Sequence, residues 1–245
     1  MKTILTLFVF LFWAATTLAA TGQTVDYKVD DETFEGYYIS PAKDAPLILL
    51  IHDWDGLTGY EVKRAQMLAD LGYAVFAADL FGKGVRPTEV ADKRQHTGEL
   101  YKDRARMRRL LGGALKTAAA QGGNIDNAVS IGYCFGGAAV LEQARAGTDL
   151  KGFVTFHGGL GTPEGQDYNK TKGKLLIMHG SADTAITLQD FADLATRLEQ
   201  AGVAHEMITY SGAPHAFTVF DGNRYHKDAD EKSWSRFLQF LKETF

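Results

Sequence analysis

The chain contains a single cysteine, Cys134, at the centre of the run Gly132-Tyr-Cys-Phe-Gly136. The residues before this run predict a short buried strand, and the small residues after it predict a closely packed helix. Glycines two residues either side of the cysteine are typical of a nucleophile elbow, where a Cβ would collide with neighbouring backbone. Free N–H groups at the start of such a helix favour a thiolate, a strong nucleophile. We therefore predict a reactive Cys134, the alternative being a small buried hydrophobic residue.

A cysteine nucleophile needs a base that takes its proton and an acid that orients the base. Asp183 lies on a loop after one predicted strand, and His215 lies on a loop after the next. The order nucleophile, acid, histidine is the chain order of the α/β-hydrolase fold. We predict that Cys134, Asp183 and His215 form a catalytic triad. Taken singly, Asp183 could cap the helix that follows and His215 could be a turn residue.

The elements that would position these residues alternate between strands and helices. Strands are predicted at 25–29, 34–39, 46–52, 73–78, 127–133, 151–156, 174–179 and 204–210. Helices are predicted at 60–71, 99–120, 135–146, 188–201 and 227–241, and 79–98 is interpreted as a Gly- and Pro-containing stretch followed by a polar region. This alternation predicts an α/β fold of the α/β-hydrolase type: one domain with a mostly parallel, doubly wound sheet and an N-terminal β-hairpin.

Helical spacing in the first predicted helix indicates a buried stripe of Val62, Ala65, Met67, Leu68 and Leu71. The carboxyl edge of a parallel sheet is the side where functional groups gather. The residues predicted to fall at this edge are His52, Asp79, Cys134, His157 and His179.

The first twenty residues predict a secretory signal peptide, with Lys2 before the apolar run 4–13 and a small-residue stretch ending at Ala20. The expected mature domain, 21–245, is exported to the periplasm or secreted and has no membrane association; the alternative is a permanent anchor helix. The chain has 26 basic and 30 acidic residues, which disfavours a nucleic-acid partner. One cysteine cannot form an internal disulfide. We expect a monomer, and Asn169 begins a glycosylation sequon that matters only in a eukaryotic secretory route.

Three motifs carry a resemblance to a known family. They are Gly132-Tyr-Cys-Phe-Gly-Gly137, His179-Gly-Ser-Ala-Asp183 and Pro214-His-Ala-Phe217. From about Val25 to the C-terminus the chain resembles the dienelactone hydrolases, the carboxymethylenebutenolidase-type members of the α/β-hydrolase superfamily. The resemblance implies hydrolysis of a carboxylic ester or lactone, a small-molecule substrate, through a thiol acyl-enzyme and without a cofactor. It also implies an oxyanion hole formed by the backbone N–H groups of Trp54 and Phe135.

The chain departs from the family pattern at three positions. Asp53 stands where a glutamate contacts the resting thiol in the founding members, and it could modulate Cys134 or instead bond loop amides near Trp54. Lys83 and Val219 align with two arginines that hold the substrate carboxylate, so strong selection for a carboxylated dienelactone is not expected. Other arginines could supply a charge from elsewhere, namely Arg86, Arg94, Arg104 and Arg224.

Aromatic residues near the predicted site favour an apolar mouth and a hydrophobic or aromatic ester. They are Trp54, Tyr133, Phe135, Phe217 and Phe220, any of which could instead belong to the core. His157 ends a predicted strand, so it could line the pocket or be a hydrogen-bonded structural histidine.

Two other functions compete with hydrolysis. A metal site could use His52, Asp53, His157 and His179, but these residues come from separate strands without the spacing of metal ligands, so we predict no metal. An exported hydrolase-fold protein could also serve a non-hydrolytic thiol-redox or ligand-binding role. A redox role would need neither Asp183 nor His215.

Overall fold

The computed structural model describes residues 20–245, so the predicted signal peptide lies outside the described residues apart from Ala20. Eight strands form one sheet: β1 (Gln23–Val29), β2 (Glu32–Ile39), β3 (Pro46–Ile51), β4 (Ala74–Ala78), β5 (Asn124–Tyr133), β6 (Gly152–Phe156), β7 (Lys174–Gly180) and β8 (His205–Tyr210). The helices are α1 (Gly59–Ala69), α2 (Val90–Lys102), α3 (Arg104–Ala120), α4 (Phe135–Ala146), α5 (Leu188–Gln200) and α6 (Lys227–Thr244).

The strands are arranged in the order β1-β2-β4-β3-β5-β6-β7-β8. β1 pairs antiparallel with β2, and β2 with β4, whereas every pairing from β4 onward is parallel. Strands such as β4 and β6 are buried along their whole length because helices cover both faces of the sheet. Apolar residues of α2 to α5 form one buried cluster, and those of α1 and α6 form a second. The predicted fold class and N-terminal hairpin are confirmed.

The helix predicted at 99–120 is in fact two helices, and the polar region before it is part of the first. The chain breaks at Asp103, whose φ of −110° and ψ of 78° are not helical. Its side chain accepts a hydrogen bond from the Arg106 N–H at 2.8 Å and so caps α3, a role that aspartate favours. Only Thr97 and Leu100 of α2 are buried, so its sequence carries little helical periodicity.

The predicted buried stripe of the first helix was partly wrong. The buried residues of α1 include two charged side chains, Glu61 and Arg64, whereas Leu71 lies beyond the helix and is 53% exposed. Glu61 accepts hydrogen bonds from the Thr58 N–H and hydroxyl, both at 2.8 Å. Arg64 pairs with Asp230 at 2.5 Å. Buried charges persist where partners compensate them, and here the partner of Arg64 is distant in sequence.

Within residues 20–245, no helix combines the length and the apolar character needed to cross a membrane. Asn169 of the sequon is exposed, and its side-chain amide donates to Asp167 Oδ2 at 2.9 Å.

Candidate active site

The single cysteine occupies the corner between β5, which ends at Tyr133, and α4, which begins at Phe135. Cys134 has a φ of 50°, a left-handed conformation that is unusual for a residue with a side chain. A Cβ at Gly132 would lie 2.2 Å from the Gly136 carbonyl, and one at Gly136 would lie 2.4 Å from the Ile51 oxygen. The crowding predicted for both glycines is therefore present at this turn.

Loops after β7 and β8 bring Asp183 and His215 to the same edge of the sheet. His215 Nε2 lies 3.0 Å from Cys134 Sγ, and His215 Nδ1 lies 2.7 Å from Asp183 Oδ2. The other carboxylate oxygen of Asp183 accepts from the N–H groups of Ala185 and Ile186, at 2.8 and 2.9 Å. The cap of α5 is Thr187 rather than Asp183. The three residues predicted to form a triad thus make a continuous hydrogen-bonded chain.

The charges in this chain stabilise one another. Burial opposes protonation of His215, but its hydrogen bonds to Asp183 and Cys134 outweigh burial and raise its pKa to about 10. Burial likewise opposes ionisation of Asp183, but hydrogen bonds from His215 and the Ile186 N–H hold its pKa below the usual range. An ionised Asp183 can only accept, so His215 carries a proton on Nδ1.

The two predicted oxyanion donors flank the cysteine. Trp54 and Phe135 both line the cavity that contains Cys134. Phe135 is the first residue of α4, where N–H groups lack an intrahelical partner. Neither backbone N–H donates to another backbone group of the described chain. Neither N–H group therefore has a competing backbone acceptor among the described residues.

The cavity at Cys134 has a volume of about 300 Å³ and a mostly apolar lining. Tyr101 and Ile186 add to the apolar surface, whereas Arg94 and Arg224 add positive charge. Neither of these arginines forms an ion pair with any residue in the range 20–245.

Sequence reasoning did not assign Thr97 or Tyr101 to the site and could not position Arg94. All three lie on α2, which was not recognised as a helix over its full length. Their spacing at 94, 97 and 101 puts them on one helical face, and that pattern could have found them.

Two predicted site residues lie elsewhere. Lys83 is exposed and forms an ion pair with Asp26 of β1, so it does not line the cavity and the prediction was wrong. Tyr133 is fully buried beneath the elbow and stacks on Phe156 with ring centroids 4.7 Å apart. It belongs to the core, as does the fully buried Phe217.

Asp53 and His157 have structural roles: Asp53 binds a loop amide near Trp54, and His157 is a hydrogen-bonded structural histidine. Asp53 Oδ1 accepts from the Asp55 N–H at 2.8 Å, and no hydrogen bond joins it to Cys134 among the described residues. Burial and the nearby Asp55 carboxylate raise the pKa of Asp53 to about 6. His157 is fully buried, does not line the cavity and has its Nε2 2.8 Å from the Thr218 hydroxyl.

The histidines considered as metal ligands have other surroundings. His52 Nδ1 donates to the Asp53 carbonyl at 2.5 Å, and its Nε2 accepts from the Leu80 N–H at 3.1 Å. His179 is buried and stacks on Phe191. In the part of the chain that the structure describes, histidine, cysteine and carboxylate side chains form no group of three or more that could hold a metal ion.

Comparison with known proteins gives consistent matches. Residues 34–245 match the sequence model of the "Dienelactone hydrolase family". A "Putative carboxymethylenebutenolidase" of Escherichia coli K12 is 23% identical over 208 residues, which cover 81% of this chain and 77% of the relative. Protein usf of Aquifex pyrophilus is 25% identical over 239 residues, which cover 91% of this chain and 98% of the relative.

Among solved structures, the chain resembles a dienelactone hydrolase-like promiscuous phosphotriesterase from metagenomic libraries. The TM-score is 0.87 at 29% sequence identity, and the match covers 93% of this chain and 99% of that chain. None of these relatives supports the alternative thiol-redox or ligand-binding role.

Proposed function

The chain belongs to the dienelactone hydrolase family and is a hydrolase of the ester- and lactone-cleaving kind; from this premise we propose that Cys134, His215 and Asp183 carry out the cleavage. One observation supports the proposal above all others. The imidazole of His215 bridges the thiol and the carboxylate, at 3.0 Å from Cys134 Sγ and 2.7 Å from Asp183 Oδ2. This is the arrangement that nucleophile, base and orienting acid require.

In the proposed acylation step, the Cys134 thiolate attacks the carbonyl carbon of the ester. A C–S bond forms, and the π electrons of the carbonyl move to its oxygen. The N–H groups of Trp54 and Phe135 stabilise that oxyanion, each contributing about 3 kcal/mol. The intermediate collapses as the C–O bond breaks, and the His215 imidazolium gives its proton to the leaving oxygen. A thioester on Cys134 remains.

In the proposed deacylation step, neutral His215 takes a proton from water as the water oxygen attacks the thioester. The C–S bond breaks, the carboxylic acid leaves and the thiolate and imidazolium are restored. Asp183 remains ionised throughout and stabilises the imidazolium at Nδ1. The cycle uses no metal and no cofactor.

The cavity favours a compact substrate with an apolar part. Its 300 Å³ volume and mostly apolar lining suit a small hydrophobic or aromatic ester or lactone. Arg94 and Arg224 line the same cavity, so a substrate carboxylate would meet these guanidinium groups rather than Lys83 or Val219.

A panel of p-nitrophenyl esters and lactones, assayed with the wild type and Cys134→Ala, tests the proposal. We expect turnover by the wild type and a loss of at least about 10⁴-fold in the alanine variant, because covalent catalysis is then removed. Matched esters with and without a carboxylate, assayed with the wild type and Arg224→Gln, test whether Arg224 binds a substrate carboxylate. In the variant, KM should rise only for the carboxylated ester. Turnover surviving in Cys134→Ala would contradict the cysteine mechanism.

A second candidate activity is attack of Cys134 on a phosphotriester. The 29% identity to a protein whose name includes promiscuous phosphotriesterase favours this candidate. A dialkyl aryl phosphotriester added to the panel measures it. Hydrolysis that depends on Cys134 would support it, and an unreactive wild type would exclude it.

Export is part of the proposal, with residues 1–20 removed and 21–245 forming a monomer. The intact mass and the size-exclusion volume of protein recovered after expression of the full chain measure both features. A retained N-terminal segment or a dimeric volume would contradict them.

A further inference from the structure

A buried network of hydrogen bonds lies beside the imidazole of His215. We call it the Arg64 network; its members are Arg64, Tyr60, Thr218 and His157. His157 Nε2 lies 2.8 Å from Thr218 Oγ1, which lies 2.7 Å from Tyr60 Oη. Arg64 Nε donates to the same Tyr60 oxygen at 3.3 Å. The chain of contacts therefore runs from a guanidinium group on α1 to a histidine at the end of β6.

Arg64 also anchors the loop that carries His215. Its Nη2 donates to the Thr218 carbonyl at 2.9 Å and to Asp230 Oδ1 at 2.5 Å. The Arg64 side chain is only 1% exposed, and its guanidinium lies 4.1 Å from the Phe220 ring centroid. Because Thr218 follows His215 closely in the same loop, these bonds restrain the segment that positions the imidazole.

His157 makes the contact between the network and the predicted triad. Its ring centroid lies 5.4 Å from that of His215, with the two planes inclined at 66°. The His157 backbone is itself held, because its N–H donates to the Met178 carbonyl at 2.8 Å. The His157 side chain is fully buried. A displacement of the His157 ring would therefore be transmitted to His215.

The direction is fixed only for the bonds from Arg64, and we adopt one orientation for the rest of the network. A guanidinium can only donate, so Tyr60 Oη accepts from Arg64. The Tyr60 hydroxyl can then give its own proton to Thr218 Oγ1. A threonine hydroxyl has a single proton, so in the orientation in which Tyr60 donates to Thr218, Thr218 can donate to His157 Nε2. The proton of the neutral ring then lies on Nδ1, which has no hydrogen-bond partner among the described residues. In this orientation His157 is a neutral ring with an unprotonated Nε2.

The surroundings of His157 oppose a second positive charge there. Burial, and then the neighbouring His215, lower its pKa well below the usual range. The titratable and charged groups that face the His157–His215 pair come from several elements. They are Tyr60 and Arg64 of α1, Asp53 after β3, Tyr133 and Cys134 at the elbow, His179 of β7, Asp183 after β7, and Arg224 before α6.

We propose that His157 is a positioning residue for His215. Thr218, Tyr60 and Arg64 hold it as a neutral ring with an unprotonated Nε2. In that form His157 supports the His215 imidazole between Cys134 and Asp183. It does not compete with His215 for the proton that makes His215 an imidazolium. The proposal rests on the proposed triad, but the two can fail separately because the tests below need no ester turnover.

The first test is the nitrogen NMR spectrum of wild-type protein labelled with ¹⁵N-histidine. His157→Phe, which keeps an aromatic ring, identifies the resonances of His157 among the seven histidines of the chain. We expect an unprotonated Nε2 and no titration of His157 between about pH 6 and 9. A protonated Nε2, or a His157 that titrates in this range, would overturn the proposal.

The second test is the pH dependence of iodoacetamide alkylation at Cys134, the single cysteine. In the plot of alkylation rate against pH, the inflection at alkaline pH reports the loss of a proton from the His215 imidazolium. Thr218→Val removes the bridging hydroxyl, so the His157 ring is released and the hydrogen bonds of His215 lengthen. Because those bonds raise the pKa of His215, we expect the inflection to fall by up to about one unit, the equivalent of one net hydrogen bond.

The matched control is Thr155→Val, in the strand that leads to His157. Thr155 is also fully buried, but its hydroxyl has no hydrogen-bond partner among the described residues. We expect this variant to keep the wild-type inflection. Equal inflections in Thr218→Val and the wild type, or equal shifts in both valine variants, would overturn the proposal.

Discussion

Two clusters of buried charge lie near opposite ends of α4. At its start, Cys134, His215 and Asp183 form a hydrogen-bonded chain. Towards its other end, the fully buried Glu142 accepts from Arg145 Nη2 at 2.8 Å and from Arg108 Nη1 at 2.9 Å. Both clusters join a buried carboxylate to its partners over short distances, so these features do not by themselves identify a reactive site.

The clusters differ in what their groups can do. Guanidinium groups only donate hydrogen bonds and do not act as proton acceptors, and Arg145 Nη1 is already committed to the Tyr168 hydroxyl at 2.8 Å. Cys134 and His215 can exchange a proton, and both line a cavity of about 300 Å³. A change of protonation state together with access for a substrate distinguishes the triad from the structural ion cluster.

Among the substitutions that compare the two clusters, loss of the base should have the largest effect. His215→Ala should lower kcat/KM at least about a hundredfold, because general acid–base catalysis contributes about 10² to 10⁴. His205→Ala is the matched control, since His205 bonds the Val203 carbonyl and does not line the cavity. Steady-state kinetics measure both variants. A fall of less than tenfold in His215→Ala would assign the base elsewhere.

Breaking the other cluster should change stability and leave the chemistry intact. Arg145→Met removes a partner of buried Glu142 and should cost about 3 kcal/mol of unfolding free energy. Arg108→Met removes a partner that is 42% exposed and should cost about 1 kcal/mol or less. Urea unfolding measures both, with activity per folded molecule as the second readout. Similar costs for the two substitutions would show that burial does not govern the cluster.

Asp183→Asn tests the contribution of the orienting acid in the proposed triad. The amide cannot stabilise the imidazolium and can present an N–H to His215, so kcat/KM should fall at least about tenfold. Loss of the hydrogen bond that raises the pKa of His215 should also move the alkaline limb of the pH profile downward. An unchanged rate would reduce Asp183 to a residue that binds the amides of Ala185 and Ile186.

The smallest expected effect concerns pH in the wild type. The pKa of His215 is raised to about 10 from 6.5, so its stabilising contribution is complete below pH 6.5 and is lost as pH rises through about 10. Activity should therefore persist through neutral pH and fall above about pH 10. A pH–rate profile with circular dichroism at each pH separates loss of activity from unfolding. Loss of activity near pH 7 would contradict the account.

The sequence was sufficient for features that local patterns encode. The glycines around Cys134 follow from backbone crowding, and Asp183 and His215 follow strands whose apolar runs are easily recognised. The alternation of strands and helices likewise gave the fold class.

Features that depend on distant partners could not be predicted. Glu61 and Arg64 looked like surface residues because Asp230, which compensates Arg64, is 166 positions away. Helix α2 has almost no apolar periodicity, so the contribution of Tyr101 to the cavity was missed and Arg94 was named without a position. Lys83 was assigned by alignment with a relative, but its partner on β1 is visible only in three dimensions.

The most direct test of the central claim is the capture of the acyl-enzyme. The wild type is mixed with a p-nitrophenyl ester, quenched with acid during the first turnovers and examined by intact-protein and peptide mass spectrometry. We predict a mass gain of one acyl group on the peptide that contains Cys134, with no gain in Cys134→Ala. Ester turnover without an adduct on Cys134, or with an adduct on another residue, would contradict the account.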